Sequence, residues 1–248
     1  MLCGQLDGKP VKVYEATNPE HAVFIKHISQ HPELSSMFPN VIELRGRFVV
    51  AEWIDGTILQ KERHKQNFLD ELVSLQCRLH QASISELPQP GFDYWRDFVW
   101  PRFAKAAELL KITDMASELR SRVENRTKAH SILLHPDLTA NNVIRTSQKE
   151  LKIVDNELLT CGDFALLDVC NTAYSLGNKQ GQRYVQLYLG KTNTNLTGPE
   201  IDALQAAWLA RRLGTAFVTG DIYLACELLN RYNSGKNILP FDFTIKQL

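Results

Sequence analysis

The sequence predicts an α+β protein with two lobes: a small antiparallel sheet lobe at residues 1–54 (the N-lobe) and a mainly helical lobe at residues 55–248 (the C-lobe). Short apolar runs separated by turn signals such as Asp7-Gly8 fill the N-lobe and are typical of β-hairpins. From Phe68 onward, apolar residues recur at helical spacing instead. Because no Ser/Gly-rich linker separates these patterns, we expect a short hinge at residues 52–56.

The N-lobe is predicted to contain two hairpins with one helix between them. Asn18-Pro19-Glu20 starts the helix, since it supplies a capping side chain, a proline at the first helical position and an acid in the first turn. The helix is expected to end at about Gln30. The expected strands are residues 1–6, 11–15, 41–44 and 47–53.

The C-lobe is predicted to be helical apart from one short hairpin. A helix is expected from Phe68 to about Gln81, followed by an amphipathic helical region at residues 101–128. Two short strands at 143–146 and 151–154 enclose a polar turn. Further helices are expected near residues 164–176, 180–190, 198–213 and 218–232.

Composition excludes several classes of function. The 28 basic and 28 acidic residues leave no net charge, so nothing favours binding to nucleic acid or to an anionic membrane. No apolar run is long enough to cross a bilayer, and the first residues lack a signal-peptide pattern. The five cysteines are odd in number and form no C-x-x-C pair, which indicates reduced thiols and a cytoplasmic protein.

One block concentrates polar side chains that can do chemistry. Asp137 and Asn142 lie just before the first strand of the C-lobe hairpin, and Asp155 follows its second strand. An antiparallel hairpin brings its open ends together, so Asn142 and Asp155 are expected to be neighbours. Three oxygen-bearing side chains would then converge where a hard cation and a phosphate can bind.

The spacing of this block resembles the catalytic segment of the protein-kinase-like fold. The closer resemblance is to the aminoglycoside and choline phosphotransferase family, whose catalytic loop usually reads His-Gly-Asp-Leu and whose metal segment often reads Ile-Asp-Trp-Glu. Here these segments are His135-Pro136-Asp137-Leu138 and Val154-Asp155-Asn156-Glu157, and Gly162–Asp168 also resembles the family. Proline in place of glycine at 136 is a departure that fixes φ there.

The resemblance implies roles for these residues. Asp137 is expected to be the catalytic base that orients the acceptor hydroxyl, and Asn142 and Asp155 are expected to hold Mg²⁺ against ATP phosphates. Glu157 would be scaffold or a secondary ligand. His135 is expected to be structural, and Asp163 and Asp168 to support the loop.

On the nucleotide side, the resemblance implies that Lys12, within the strand Val11–Tyr14, contacts the α- and β-phosphates. Glu20 is the only acid in the following helix and hence the candidate partner of Lys12, although the helix dipole favours an acid there anyway. Backbone groups at Glu52 and Ile54, where the last N-lobe strand meets the hinge, are expected to bind adenine.

The start of the N-lobe departs from the family. Only eleven residues precede Lys12, which is room for one strand but not for two strands and a phosphate-covering loop. We therefore expect a shortened N-lobe. Either the chain is truncated or its start is misassigned, or the nucleotide is bound without a roof over its phosphates, which would expose the γ-phosphate to water.

The leading functional prediction is an ATP- and Mg²⁺-dependent phosphotransferase acting on a hydroxyl of a small molecule. The alternative is a degenerate kinase-like protein with a binding or regulatory role. A protein kinase is disfavoured, since no basic residue follows His135 and no Ala-Pro-Glu follows Asp155.

The acceptor stays open at this point, as do the choice between ATP and GTP and the oligomeric state. Eight acids and eight bases follow Asp155, which does not favour a polycationic acceptor. A choline-like acceptor would need aromatic walls. An aromatic cluster either lines an acceptor pocket or, as we favour, packs between helices: Phe92, Tyr94, Trp95, Phe98, Trp100 and Phe103.

Overall fold

A computed structural model describes residues 2–126, 131–241 and 243 of the chain. The N-lobe holds an antiparallel sheet and one helix, as predicted. Its elements are β1 (Leu2–Leu6), β2 (Lys9–Glu15), α1 (Pro19–Gln30), β3 (Val41–Arg45) and β4 (Phe48–Glu52). The predicted first strand included Met1, which lies outside the described residues.

The four N-lobe strands form one sheet in the order β1-β2-β4-β3, with every neighbouring pair antiparallel. The register opposes Lys12 to Ala51 and Val11 to Glu52, so the strand that carries the lysine lies beside the strand that leads to the hinge. One face of α1 covers the sheet through a small apolar cluster that consists of Tyr14, Ala16, Ala22, Ile25, Val41, Val49 and Ala51.

The C-lobe is mostly helical. Its elements are β5 (Thr57–Ile58), α2 (Phe68–Gln81), α3 (Trp100–Leu110), α4 (Thr113–Glu124), β6 (Ile132–Leu134), β7 (Val143–Arg145), β8 (Leu151–Ile153), β9 (Thr160–Gly162), α5 (Ala165–Leu176), α6 (Asn178–Thr192), α7 (Gly198–Thr219) and α8 (Ile222–Asn233). Among the helices of the described ranges, none is long and apolar enough to span a membrane.

The helical region predicted at residues 101–128 is two helices rather than one. Lys111 adopts a left-handed backbone conformation (φ 56°), and its N–H bonds to the carbonyls of Ala107 and Glu108, which ends α3. The chain turns there and continues as α4. Residues 127 and 128 of the predicted region lie outside the described part of the chain.

The hinge is attached to the C-lobe hairpin formed by β7 and β8, a connection that the sequence patterns did not indicate. After Glu52 the chain forms β5, which pairs antiparallel with β7, while β7 pairs with β8. Gly56 lies so close to β7 that an added Cβ would be 2.1 Å from the carbonyl oxygen of Arg145. A side chain at position 56 would therefore push the hinge away from the hairpin.

We expect Gly56→Ala to lower the free energy of unfolding by about 1–3 kcal/mol, because the methyl group overlaps backbone that cannot shift freely. Gly190→Ala is the matched control. Gly190 lies in α6 with open space around its Cα, so alanine should stabilise the protein by about 0.5–1 kcal/mol. Chemical denaturation measures both changes. A Gly56→Ala variant with the same free energy of unfolding as the parent would show that the hinge is not packed as described.

Helix α1 is tied to the C-lobe by its first turns. The Asn18 side chain donates to the carbonyl of Gly91 (2.7 Å), and the buried His21 ring joins its Nε2 to the carbonyl of Leu159 (2.7 Å). The His21 Nδ1 accepts the N–H of Thr17 (3.2 Å). A ring that accepts at one nitrogen and donates at the other is neutral, and burial lowers the pKa of His21.

This neutral histidine makes stability depend on pH. The pKa of His21 in the folded state lies below the unfolded value of about 6.5. Protonation at low pH therefore stabilises the unfolded chain more than the folded protein. Stability is therefore complete above that value and falls as pH drops below it, by at most about 1.4 kcal/mol per pH unit for one group.

When the free energy of unfolding is measured from pH 7.5 to 5, we expect it to fall less steeply in His21→Leu than in the parent. His135, which is also buried with a lowered pKa, contributes to the loss, whereas Glu157, whose pKa burial raises to about 7, opposes it over the same pH range. His27→Leu, at an exposed position of the same helix, is the control and should leave the slope as in the parent. An unchanged slope in His21→Leu would contradict the assignment.

Candidate active site

The three residues singled out in the catalytic block are adjacent. The Asn142 Nδ2 donates to the Asp137 carbonyl (2.8 Å) and to the Asp137 Oδ2 (3.0 Å). The Val154 N–H donates to the Asn142 carbonyl (2.8 Å), which extends the β7–β8 ladder and brings Asp155 beside Asn142. This is the arrangement that the hairpin argument predicts, and it leaves the Oδ1 of Asn142 free to accept another partner.

Helix α5 holds the predicted catalytic loop, residues 135–138, through three hydrogen bonds. The buried Asp168 accepts the backbone N–H of His135 (2.7 Å), in agreement with its predicted role as a loop support. Thr172 Oγ1 donates to the Leu138 carbonyl (2.6 Å), and Asn171 Nδ2 donates to the Pro136 carbonyl (3.2 Å). No sequence motif singles out these two residues, although their positions three and four residues after Asp168 place them on the same helix face.

The surroundings of His135 fit its predicted structural role. Its ring is fully buried, and its Nε2 lies 3.2 Å from the Oδ1 of the buried Asn156. Burial lowers the pKa of His135, which keeps the ring neutral at pH 7. The contact links the loop that carries Asp137 to the segment that carries Asp155, so the two acids are fixed relative to one another.

Lys12 pairs with Asp155 and not with Glu20. The Lys12 side chain is buried between the lobes, and its Nζ donates to the Asp155 Oδ1 at 2.9 Å. Glu20 is exposed in the first turn of α1, where its Cβ lies beside Gly91, and no ion pair joins it to Lys12 in the part of the chain that the structure describes. The expected Lys12–Glu20 pair is therefore wrong in this structure, because the dipole of α1 stabilises the acid at a position that faces solvent.

Two acids compete for the charge of Lys12. Burial raises the pKa of Glu157 to about 7, an effect that Lys12 opposes and Asp155 reinforces. Burial would also raise the pKa of Asp155, but hydrogen bonds from Lys12 and Glu157 outweigh it and hold that pKa below its ordinary value. Asp155 is thus the charged member of the pair and Glu157 the member that keeps a proton more readily.

Asp155 also has an unusual backbone conformation. Its φ is 74°, in the left-handed region that non-glycine residues rarely adopt. Such a conformation persists only where surrounding contacts enforce it, and it is common at functional sites. Here it turns the carboxylate out of the end of β8 toward Lys12.

A cleft of about 400 Å³ lies between the lobes and contains most of the predicted residues. Its apolar part includes Ile54 and Ile144, and its polar end includes Lys12 and Asp155. The complete lining is Lys12, Pro39, Glu52, Trp53, Ile54, Asp55, Gly56, Ile58, Asn141, Asn142, Ile144, Val154 and Asp155. An apolar slot that ends in a lysine, an amide and a carboxylate suits a flat base attached to phosphates.

The two hinge residues differ in what they offer to a ligand. The Glu52 carboxylate accepts the N–H of Asn40 (2.9 Å), and the Glu52 N–H donates to the Asn40 carbonyl (2.9 Å), so both groups are occupied. Within the described residues, no protein hydrogen bond involves the backbone of Ile54. The backbone of Ile54 therefore faces the cleft without a protein partner in the described residues, whereas the Glu52 N–H is occupied.

The aromatic cluster packs mainly within the C-lobe, as favoured from the sequence. Trp95 lies against Trp100 (4.9 Å between ring centroids) and Phe164 (6.1 Å), and Tyr94 stacks on Phe98 (5.3 Å). Most members of the cluster are buried in the main hydrophobic core. The cluster is therefore not an open aromatic cage.

The family of the chain follows from a comparison of sequences. A family model described as the phosphotransferase enzyme family matches residues 10–217, and the chain therefore belongs to this family. The resemblance stated from the catalytic motifs is thereby confirmed. No curated protein sequence matches the chain.

Solved structures with a similar fold are small-molecule kinases. An ethanolamine kinase from Plasmodium vivax has a TM-score of 0.62 at 14% identity over 91% of this chain and 75% of that chain. The choline kinase LicA from Streptococcus pneumoniae has a TM-score of 0.58 at 12% identity over 94% and 86%. A thermostable mutant of the aminoglycoside phosphotransferase APH(4)-Ia, in complex with ADP and hygromycin B, has a TM-score of 0.58 at 15% identity over 94% and 88%. These likenesses confirm the kinase-like two-lobe fold of this member of the phosphotransferase enzyme family.

Proposed function

We propose that this protein transfers the γ-phosphate of ATP, with Mg²⁺, to a hydroxyl group of a small molecule. The observation that carries the proposal is the convergence of Lys12, Asn142 and Asp155 at the polar end of one interlobe cleft. Asp137 joins this group through the hydrogen bond that it accepts from Asn142. These side chains come from both lobes. Nucleotide is bound by the solved relative whose complex contains ADP, which supports ATP as the donor.

The donor set fits a magnesium ion. Asp155 supplies a charged oxygen, and Asn142 supplies an Oδ1 that its Nδ2 contacts with Asp137 leave free. Mg²⁺ commonly takes only one or two protein ligands and completes its shell with phosphate oxygens and water. When bound there, the ion would neutralise charge on the phosphates, while Lys12 would exchange its contact with Asp155 for a phosphate oxygen.

We assign the acceptor hydroxyl to Asp137. Its Oδ2 and carbonyl are held by Asn142, which leaves its Oδ1 available to accept the acceptor's hydroxyl proton. The acceptor oxygen then forms a bond to the γ-phosphorus, the bond from that phosphorus to the bridging oxygen breaks, and ADP leaves with the electron pair. The proton resides on Asp137 until it is lost to water.

An ADP-release assay tests this proposal. The full chain is incubated with ATP, with and without MgCl₂, and with a panel of hydroxyl compounds that are cationic, neutral or anionic. Acceptor-dependent ADP release that requires magnesium is the expected result. Nucleotide binding without release for any acceptor would favour the degenerate kinase-like alternative, and release that is independent of magnesium would contradict the assigned metal site.

A further inference from the structure

Three arginines near the catalytic loop have no acidic partner. Arg102 lies on α3, and Arg211 and Arg212 lie on α7. All three are half-buried, yet none forms an ion pair with a carboxylate of the described residues. Asp221 acts on Arg212 only at longer range, since its own carboxylate caps the N-terminus of α8.

Comparable arginines elsewhere in the C-lobe are neutralised. Arg126 pairs with Asp163, and Arg145 donates to both Glu62 (2.8 Å) and Glu71 (2.6 Å). Half-buried charge in a protein is ordinarily paired, because removing it from water is costly. The guanidinium groups of Arg102 and Arg211, which meet at one place without a carboxylate, therefore call for an anion that is not part of the described chain.

Two of the three groups, those of Arg102 and Arg211, are close together. The Cζ of Arg102 lies 3.5 Å from the centroid of the Phe98 ring, and the Cζ of Arg211 lies 5.4 Å from the same centroid. Close packing of α3 on α7 sets this approach, since an added Cβ on Gly214 would be 3.1 Å from the Cβ of Arg102. Burial, followed by the like charge of Arg211, lowers the pKa of Arg102.

A buried hydroxyl connects this arginine cluster to the catalytic loop. The side chain of Tyr94 is 4% exposed, and its hydroxyl has no hydrogen-bond acceptor among the described residues. Burial raises the pKa of Tyr94 to about 12; Arg211 opposes this shift, and Asp168 and Asp137 add to it. The hydroxyl thus lies within electrostatic range of both Arg211 and the proposed catalytic base, as a donor without an acceptor.

The cluster also reaches the loop through α5. The Cζ of Arg212 lies 4.0 Å from the centroid of Tyr174, which is one helical turn from Asn171, the residue that holds the Pro136 carbonyl. Positive charge therefore lies beside the loop that presents Asp137, on the α5 and α7 side of the C-lobe.

We infer that the acceptor carries an anionic group, a carboxylate or a phosphate, in addition to the hydroxyl that is phosphorylated. Arg102 and Arg211 would bind this group, and the Tyr94 hydroxyl would donate to it. Guanidinium groups suit such anions because they present several donors in one plane. This inference rests on the proposed function, whose acceptor it specifies.

The same geometry disfavours a cationic acceptor. A choline-like group would need the open face of an aromatic ring. Here guanidinium groups already cover the faces of Phe98, Tyr174 and Phe164 at 3.5, 4.0 and 4.5 Å from their centroids. Any cation that approached them would also meet the charge of the arginine cluster.

Calorimetric titration of the full chain tests the inference without requiring turnover. The probes are D-glycerate, glycerol 3-phosphate, glycerol and choline, each with and without AMP-PNP and MgCl₂. We expect at least one of the two anions to bind tenfold or more tightly than glycerol and choline. Tighter binding of D-glycerate indicates an acceptor with a carboxylate, and tighter binding of glycerol 3-phosphate indicates an acceptor with a phosphate.

Variants locate the binding site. Arg102→Gln and Arg211→Gln should each weaken anion binding tenfold or more, whereas Arg183→Gln, at an exposed position of α6, should not. Saturating AMP-PNP and MgCl₂ should leave anion binding intact, which separates this site from the nucleotide phosphates. Arg211→Lys, which keeps the charge, should recover part of the affinity, and thermal unfolding of every variant shows whether it is folded.

The failure of this inference is distinguishable from failure of the proposed function. Tighter binding of choline or glycerol than of both anions, no binding of any probe, or equal anion affinity in both Gln variants and the parent would overturn the anionic site. Anion binding without phosphate transfer would support the site and count against the proposed function. Phosphate transfer to choline without anion binding would support the proposed function and overturn the anionic site.

Discussion

Asp137→Asn is expected to reduce phosphate transfer by about 10²–10⁴-fold, the usual contribution of a positioned general base. Asparagine has the same shape and can still accept a hydrogen bond from the Asn142 Nδ2, so the loop should keep its conformation. The affinity for Mg·ATP should therefore stay close to that of the parent. The measurements are steady-state ADP release and calorimetric titration with ATP.

Asp114→Asn is the control, because Asp114 is exposed in the first turn of α4, away from the cleft. It should leave both transfer and nucleotide affinity as in the parent. If Asp137→Asn loses nucleotide binding as severely as it loses transfer, Asp137 is a structural or nucleotide-binding residue and not the catalytic base.

Asp155→Ala is expected to abolish the magnesium dependence of nucleotide binding and to reduce transfer to background. The substitution removes the charged oxygen proposed as metal ligand, and it also removes the partner of Lys12 at 2.9 Å. Stability should fall as well, because a buried ammonium is left without its carboxylate.

Asp155→Asn separates these two effects. The amide oxygen can still accept from Lys12, so most of the stability should return, but the negative charge that attracts Mg²⁺ is absent. Titration with ATP at several magnesium concentrations, beside thermal unfolding of both variants, measures each effect. An Asp155→Ala protein that binds Mg·ATP like the parent would show that the ligand assignment is wrong.

Features encoded by neighbouring residues could be predicted from the sequence. The start of α1 follows from Asn18 and Pro19, and the structure shows the Asn18 side chain accepting the His21 N–H as a cap. The adjacency of Asn142 and Asp155 follows from the short β7–β8 hairpin. In both cases a local rule of backbone geometry fixes the outcome, and distant parts of the chain need not be known.

Features that depend on tertiary packing could not be predicted in this way. The choice of Asp155 over Glu20 as the partner of Lys12 depends on how α1 lies against the C-lobe at Gly91 and Leu159. The break after α3 depends on one left-handed residue, Lys111, whose type does not favour that conformation.

The arginine cluster is a further example of a feature set by packing. Arg102 and Arg211 are 109 positions apart in the sequence and meet only because α3 packs on α7. The balance of eight acids and eight bases after Asp155 gave no sign of a charged acceptor site, because a total charge does not record where each charge lies.

The proposed function requires the cleft between the lobes to be a magnesium-dependent nucleotide site. We would test this first by calorimetric titration of the full chain with ATP, in the presence and absence of MgCl₂. We expect saturable binding that is markedly tighter with magnesium. Absence of binding at millimolar ATP, or equal affinity with and without magnesium, would contradict it.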